Sequence, residues 1–336
     1  EMRADLDRAF EREHAFDRLS LTTDWGSNIV NAAHQRSTFD WHPCICHVLN
    51  TTVQHVLGEG VVAVAVDPVK ALSKHIRKSP SSWETLRTFQ ERFLGRGDGP
   101  GVHQLSGADT DEEGIAQGSD RGAMSEDDIG YMSDPVGDVL AARPGDETGA
   151  LKPKRVLRMS GYCKTRWNST YFLLKRTVLL EESIRAFINS KGDPSLTISE
   201  SGWHCIKEIL TALEPIKDVS ERLEGDSYVT ISDALYFLLK LVYDRLDMED
   251  TDAAQHGYKF TFIHSFRTKL LAAIDDVNII YSWALAAALD GRRSHLEWMR
   301  RLWDHPEDWP TVTDYYRTLG SLRNNIREEL VKLVSR

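Results

Sequence analysis

An acidic residue at the end of a short β-prone stretch is the first feature of this sequence whose position suits chemistry. Leu19 to Thr23 is rich in leucine and threonine, Asp24 follows it directly, and Gly26 marks a turn. Ligands bind where the parallel strands of α/β folds end, and a carboxylate there suits Mg²⁺, which prefers oxygen ligands. The more common role of an acid at such a turn is to cap the following helix, here predicted over 27–34, since aspartate accepts hydrogen bonds from first-turn amides. The residues alone leave both roles open.

A cluster of thiols and imidazoles follows further along the chain. Cys44, Cys46 and His47 lie close together, and His34 and His42 precede them. The spacing does not predict zinc, because a structural zinc ion needs a second ligand pair at a characteristic separation. We expect instead a buried cysteine that packs as a small hydrophobic side chain. A nucleophilic thiol is less expected, because no partner that would activate it can be named.

The stretch from 152 to 176 is strongly basic, with eight lysines and arginines and no acidic residue. The cations that we single out for DNA contact are Lys152, Lys154, Arg155, Arg158, Lys164 and Arg166. Tyr162, Trp167, Tyr171 and Phe172 are interleaved with them. Cations neutralise phosphates and aromatic faces stack on unpaired bases, so the combination indicates nucleic-acid binding. The alternative is an ordinary solvated charged face.

The periodicity and composition of the chain predict four segments. Strand, helix, strand (43–46) and helix (from His47) in that order are typical of an α/β region over 1–66. Residues 67–95 are predicted to be helical, with Ser81 or Ser82 as a cap. Residues 96–150 hold 11 of the 22 glycines and 13 acidic residues against three arginines, so we predict a disordered insertion.

Residues 151–336 are predicted to be mainly helical after their basic beginning. The expected helices cover 171–190, 201–223, 230–247, 258–275, 279–289 and 312–335. Pro215 is expected to kink or break the second of these helices, because proline lacks the amide proton that a helix interior uses.

The totals exclude few functions. The insertion accounts for the net charge of −10, so the acidic balance does not argue against DNA binding. Four cysteines in a chain of 336 residues indicate a reducing compartment rather than a disulfide framework. The sequence contains neither a signal peptide nor an apolar run of about 18 residues, so no membrane partner is expected.

Three short motifs, taken in order, resemble one known family. Thr22 to Asn28 is similar to a Thr-Asp-Asn-Ala-Ser-Asn segment, Cys44 to Asn50 fits Cys-x-x-His-x-Leu-Asn, and Thr165 to Tyr171 reads Thr-Arg-Trp-Asn-Ser-Thr-Tyr. These segments follow one another in the hAT superfamily of cut-and-paste DNA transposases, which this chain therefore resembles. Residues 202–224 and 283–293 resemble later family segments more loosely, and their apolar spacing makes core packing their expected role.

The resemblance implies a fold that is α/β plus all-α. Residues 1–66 would be the middle of a partial RNase H-like catalytic core, 67–95 a helical connection, and 151–336 a large helical insertion domain. Asp24 would be the second acid of an Asp-Asp-Glu triad that binds Mg²⁺ or Mn²⁺ in the complete protein. His47 would contact transposon-end DNA near it, and Trp167, beside Arg166, would stabilise a flipped-out base. We therefore expect Trp167 to be partly exposed.

The first aspartate and the glutamate of that triad are not found in this sequence. Both ends run through charged, helix-like stretches, so we expect an internal piece of an hAT-like transposase. The full-length protein would cleave and transfer DNA strands in the nucleus and oligomerise through a C-terminal region outside this chain. The alternative is a catalytically inactive, domesticated or decayed relative that binds DNA or protein partners. A helical scaffold unrelated to DNA would leave the first two motifs unexplained.

Overall fold

The computed structural model describes residues 20–24, 40–95, 140–141, 152–153, 155–224, 231–246 and 257–334. These residues are mostly helical, with few strands. The elements follow in chain order as β1 (Ser20–Thr23), β2 (Asp40–Pro43), α1 (Ile45–Leu57), α2 (Gly60–Lys78), α3 (Pro80–Gly95), β3 (Leu140–Ala141), β4 (Lys152–Pro153), α4 (Trp167–Leu179), α5 (Glu181–Lys191), α6 (Glu200–Leu223), α7 (Ile231–Lys240), α8 (Tyr258–Ile274), α9 (Val277–Leu289), α10 (Arg301–Asp304), α11 (Pro310–Tyr316) and α12 (Leu319–Val334).

The chain divides into two compact units. The first contains residues 1–63 and 208–336, and the second contains residues 64–207. The basic stretch from 152 to 176 therefore belongs to the second unit. The strand that precedes Asp24 and the strand that precedes His47 both belong to the first unit.

The two strands of the first unit are parallel neighbours. Ser20 lies opposite Asp40, and Thr23 lies opposite Pro43. The predicted strand over 43–46 is wrong in position, because β2 ends at Pro43 and α1 begins at Ile45. Cys44 makes the transition: its backbone is extended, and its N–H donates to the carbonyl oxygen of Thr23 at 2.7 Å.

The helices confirm the predicted helical region but correct its boundaries. The expected helix over 171–190 is two helices that meet at Leu180, and the expected helix over 312–335 is also two. Arg317 separates the latter pair, because its positive φ of 56° cannot continue a right-handed helix. Of the kink or break predicted at Pro215, the break is wrong, since α6 continues through this residue. Pro215 marks no boundary.

The start of α3 also differs from the prediction. Neither Ser81 nor Ser82 caps this helix; the hydroxyl of Ser79 accepts the backbone N–H of Ser82 at 3.2 Å. The preceding helix, α2, runs without interruption across residue 66, where the sequence pattern placed the end of the α/β region.

The first unit has an all-helical core beside its strand pair. Helix α8 packs against α1, and α9 packs against α7, α11 and α12. Trp283, Ala284 and Ala287 of α9 are buried, which confirms the core role predicted from their spacing. The segment that follows α9 is held by Asp233 of α7, whose buried carboxylate accepts from Arg293 Nε at 3.0 Å.

No single described helix is both long and apolar enough to cross a membrane, and α8 and α9 meet those criteria only as a pair bent by 86°. The predicted disordered insertion and the helix predicted over 27–34 lie outside the described residues, with one exception. Leu140–Ala141 pairs antiparallel with Lys152–Pro153.

Candidate functional site

The strand pair brings two of the predicted site residues to one edge of the small sheet. Asp24 directly follows β1 and is exposed. Cys44 directly follows β2, and its backbone N–H donates a hydrogen bond to Thr23, the residue before Asp24. His47 lies half-buried in the first turn of α1. Asp24 thus stands at the carboxyl end of a strand, and His47 lies in the helix that follows the neighbouring parallel strand.

The described residues do not fit the metal ions that the resemblance implies. No group of three or more His, Cys, Asp or Glu side chains within them is arranged to hold a metal ion. Two-metal phosphoryl transfer needs several carboxylates that hold ions roughly 3.5–4 Å apart, and Asp24 alone cannot supply them. The described residues by themselves therefore do not make a two-metal centre.

The thiols at the start of α1 differ from the expected buried cysteines. Cys44 and Cys46 are both half-buried, because they lie at the end of a helix rather than inside the core. A hydrogen bond from the Cys46 thiol lowers the pKa of Cys44 to about 5, and the backbone amides of His47 and Cys46 assist it. The same hydrogen bond, followed by burial, raises the pKa of Cys46.

The two thiols titrate together. The pKa of the first deprotonation lies below that of an ordinary thiol, and the pair retains its second proton. A thiolate at a helix N-terminus is a typical nucleophile. The neighbouring thiol of Cys46 is the main cause of this lowered pKa, and the sequence analysis did not anticipate it.

The basic segment, residues 155–166, belongs to the second unit and lacks regular secondary structure, and its side chains separate into a buried and an exposed set. Leu157 and Met159 are buried, while Arg155 and Arg158 are exposed. The guanidinium of Arg158 lies over the ring of Trp83, 5.2 Å from its centroid. The cations of this segment thus point away from the core that its apolar residues enter.

Buried polar side chains from three helices hold the backbone of this segment in place. Gln90 of α3 donates its amide to the Leu157 carbonyl at 2.9 Å and accepts the Leu157 N–H at 2.8 Å. Ser73 of α2 donates to the Ser160 carbonyl at 2.6 Å. Arg176 of α4 donates to the Arg158 carbonyl at 2.9 Å. The two bonds of Gln90 are buried, so they are the most costly of these bonds to lose, while the bonds of Ser73 and Arg176 are part-buried.

The turn that leads into α4 is fixed in the same way. The buried hydroxyl of Ser169 accepts the Cys163 N–H at 2.8 Å and lies 2.6 Å from the carbonyl oxygen of Arg166. Lys164 and Arg166 are exposed on this turn. A serine in the first turn of the helix thereby orders the loop that presents both cations.

The cations of the predicted DNA-contact stretch differ in exposure, and one of them is not described by the structure. Lys152 belongs to β4, and Lys154 lies outside the described residues. Within the described ranges, Arg158, Lys164 and Arg166 form no ion pair. Arg176, one of the eight cations of the stretch, is buried as a tether. Fewer cations are therefore exposed than the eight lysines and arginines that the sequence contains over 152–176.

The expectation of a partly exposed Trp167 is wrong. Its side chain is 2% exposed, and its ring stands edge-on to that of Tyr171, which is also buried, at 6.4 Å between centroids. Trp167 is the first residue of α4, where the helix turns its apolar side into the unit. In this conformation neither ring can stack on a base.

Three residues that matter to this surface were missed in the sequence, namely Ser73, Gln90 and Ser169. Gln90 left a readable signal, since it occupies the apolar stripe of α3 four residues after buried Leu86. A polar residue on such a stripe indicates a buried hydrogen bond. Ser169 lies within the motif Thr165 to Tyr171, but its role as a loop-ordering hydroxyl was not predicted, and Ser73 left no comparable signal.

No protein-family model, no curated protein and no solved structure matches this chain.

Proposed function

We propose that this chain is part of an hAT-like transposase and that the second unit provides a DNA-binding surface. The observation that carries the proposal is the basic segment: Arg158, Lys164 and Arg166 are exposed and have no ionic partner among the described residues. Its backbone is held by hydrogen bonds from the buried side chains of Ser73, Gln90 and Arg176. The motif Thr165 to Tyr171, which resembles the family, lies at the end of this segment.

A fixed backbone makes these cations better suited to phosphates than flexible surface lysines. Phosphate contacts position a protein on nucleic acid and supply most of its sequence-independent affinity. Side chains that already project from an ordered segment lose less conformational freedom on binding. DNA is the anionic polymer that the resemblance implies as partner.

In this proposal the strand edge of the first unit belongs to an RNase H-like core, and the helices belong to an insertion domain. Asp24 would serve metal-dependent cleavage and strand transfer in the full-length, nuclear protein, with His47 contacting transposon-end DNA. The parallel strand pair with an acid at its end supports this assignment. The carboxylates that would complete a Mg²⁺ or Mn²⁺ site are not among the described residues.

The second candidate is a catalytically inactive, transposase-derived protein that binds DNA. The burial of Trp167 favours it, because the family role of this tryptophan requires a ring that reaches a flipped base. The two candidates differ in DNA preference: an active transposase should bind hairpin DNA more tightly than linear duplex, whereas a DNA-binding relative has no reason to do so.

One binding experiment tests the proposal. Fluorescence anisotropy of labelled linear duplex and hairpin DNA would be measured for the wild type and for the triple variant Arg158→Gln, Lys164→Gln, Arg166→Gln. We expect the slope of log affinity against log salt to fall by about 0.9 for each phosphate that the variant no longer neutralises. Lys191→Gln, an exposed cation of α5, is the control and should change nothing. Equal binding by the triple variant and the control would contradict the proposal.

A further inference from the structure

A second group of cations lies on α2, which the sequence pattern did not associate with the basic segment. Lys74, Arg77 and Lys78 are exposed in the last two turns of this helix. Within the described ranges none of the three forms an ion pair. All three belong to the second unit, as does the basic segment. The surface charge of this unit therefore extends beyond residues 152–176.

Direct contacts join α2 to the basic segment. Ser73 donates to the Ser160 carbonyl at 2.6 Å, and the ammonium group of Lys70 lies over the ring of Tyr162 at 6.0 Å. The guanidinium of Arg77 lies against Gly161, where a β carbon would stand 2.8 Å from its Cζ atom. Arg77 thus occupies space that is open only because residue 161 is glycine.

The aromatic rings beside these cations are either buried or half-buried with a cation already over the ring. Arg158 lies over Trp83, and Lys70 lies over Tyr162. Trp167 and Tyr171 are buried. Proteins that prefer single strands stack bases on accessible aromatic rings, and this surface offers cations in place of such rings. It therefore suits the phosphate backbone of a double helix, whose bases are already paired and stacked.

We propose that α2 and the basic segment form one phosphate-binding surface for double-stranded DNA, with Lys74, Arg77 and Lys78 acting beside Arg158. The inference deepens the proposed function and rests on it. The surface binds without reading base sequence, because its contacts are charges aimed at phosphates. Gly161 contributes by leaving the guanidinium of Arg77 its place against the segment.

Two variants separate the charge of α2 from its placement. Lys74→Gln with Lys78→Gln removes two exposed cations, and Arg92→Gln with Lys191→Gln removes two others elsewhere on the same unit as the matched control. Gly161→Ala keeps every charge but displaces the guanidinium of Arg77. Circular dichroism and thermal unfolding would show that all variants remain folded.

Anisotropy would be measured with a labelled duplex and a labelled single strand of equal length, between about 50 and 200 mM salt. We expect the α2 double variant to lower the salt slope for duplex by about 1.8 and the control pair to leave it unchanged. Gly161→Ala should weaken duplex binding several-fold without a change in net charge. Tighter binding of the single strand by the wild type would overturn the assignment to duplex.

The outcomes distinguish this inference from the proposed function. If the wild type binds no DNA, both fail. If the triple variant of the basic segment weakens binding but the α2 double variant behaves like its control, the proposed function stands and this inference is wrong. If Gly161→Ala binds duplex as tightly as the wild type, the placement of Arg77 has no role.

Discussion

Replacing Trp167 by alanine tests the central correction that the structure makes to the sequence interpretation. The indole is 2% exposed and lies at the first position of α4, edge-on to Tyr171. A residue that supports a flipped base should contribute to DNA affinity and little to folding. A core residue should do the reverse, and the structure places Trp167 in the core.

The size of the effect follows from the area that the side chain buries. An aromatic side chain buries roughly 150–250 Å² in a protein core. At about 25 cal/mol per Å² this corresponds to roughly 4–6 kcal/mol, an upper bound because the unfolded chain already buries part of it. Substitutions of buried Phe or Trp by Ala cost about 3–5 kcal/mol. We therefore expect Trp167→Ala to lower the free energy of unfolding by about 4 kcal/mol.

The assay is urea unfolding followed by circular dichroism, with DNA affinity measured on the same preparation and expressed per folded molecule. Arg166→Gln is the control, because its side chain is exposed and adjacent, and it should change stability by less than about 0.5 kcal/mol. The phenylalanine side chain of Trp167→Phe fills part of the same space. This variant should therefore remain folded at urea concentrations that unfold Trp167→Ala.

The opposite result would refute the reasoning. A stability decrease below about 1 kcal/mol, together with a decrease of about 1–3 kcal/mol in binding to hairpin DNA, would show that the indole serves the DNA. The buried conformation of Trp167 would then not be the conformation that binds DNA.

Two further predictions concern a buried tether and a thiol. Gln90→Leu should lower the free energy of unfolding by about 2–4 kcal/mol, because it leaves the buried N–H and C=O groups of Leu157 without their hydrogen-bond partner. Urea unfolding against Glu91→Gln, an exposed neighbour, checks this, and an unchanged midpoint would contradict it. Alkylation of Cys44 by iodoacetamide should be half-maximal near pH 5, since its pKa is lowered and the thiolate persists above that value. Cys46→Ala should move this midpoint upward, and a wild-type midpoint at the ordinary thiol value would argue against the coupled titration of the two thiols.

Local sequence patterns predicted the individual elements well where one stretch of chain decides its own conformation. The strand that ends before Asp24, the helix that contains His47 and the helices after residue 200 all follow from apolar spacing and turn residues. The boundaries were less predictable. The strand at 40–43 was misplaced because its pairing with β1, a distant stretch of chain, decides which residues form it.

The sequence by itself determined the cations, the motifs and the helical periodicity of this protein, because these are properties of residue type and spacing. Only the tertiary structure decided which charges are available. Arg176 is as cationic as Arg158 in the sequence, yet it is buried as a tether while Arg158 is exposed. The tertiary structure likewise places Trp167 in the core, and it brings Gln90 into hydrogen bonds with the backbone of a distant segment. Burial and hydrogen bonding between segments far apart in the chain depend on how helices pack, and local periodicity does not encode that packing.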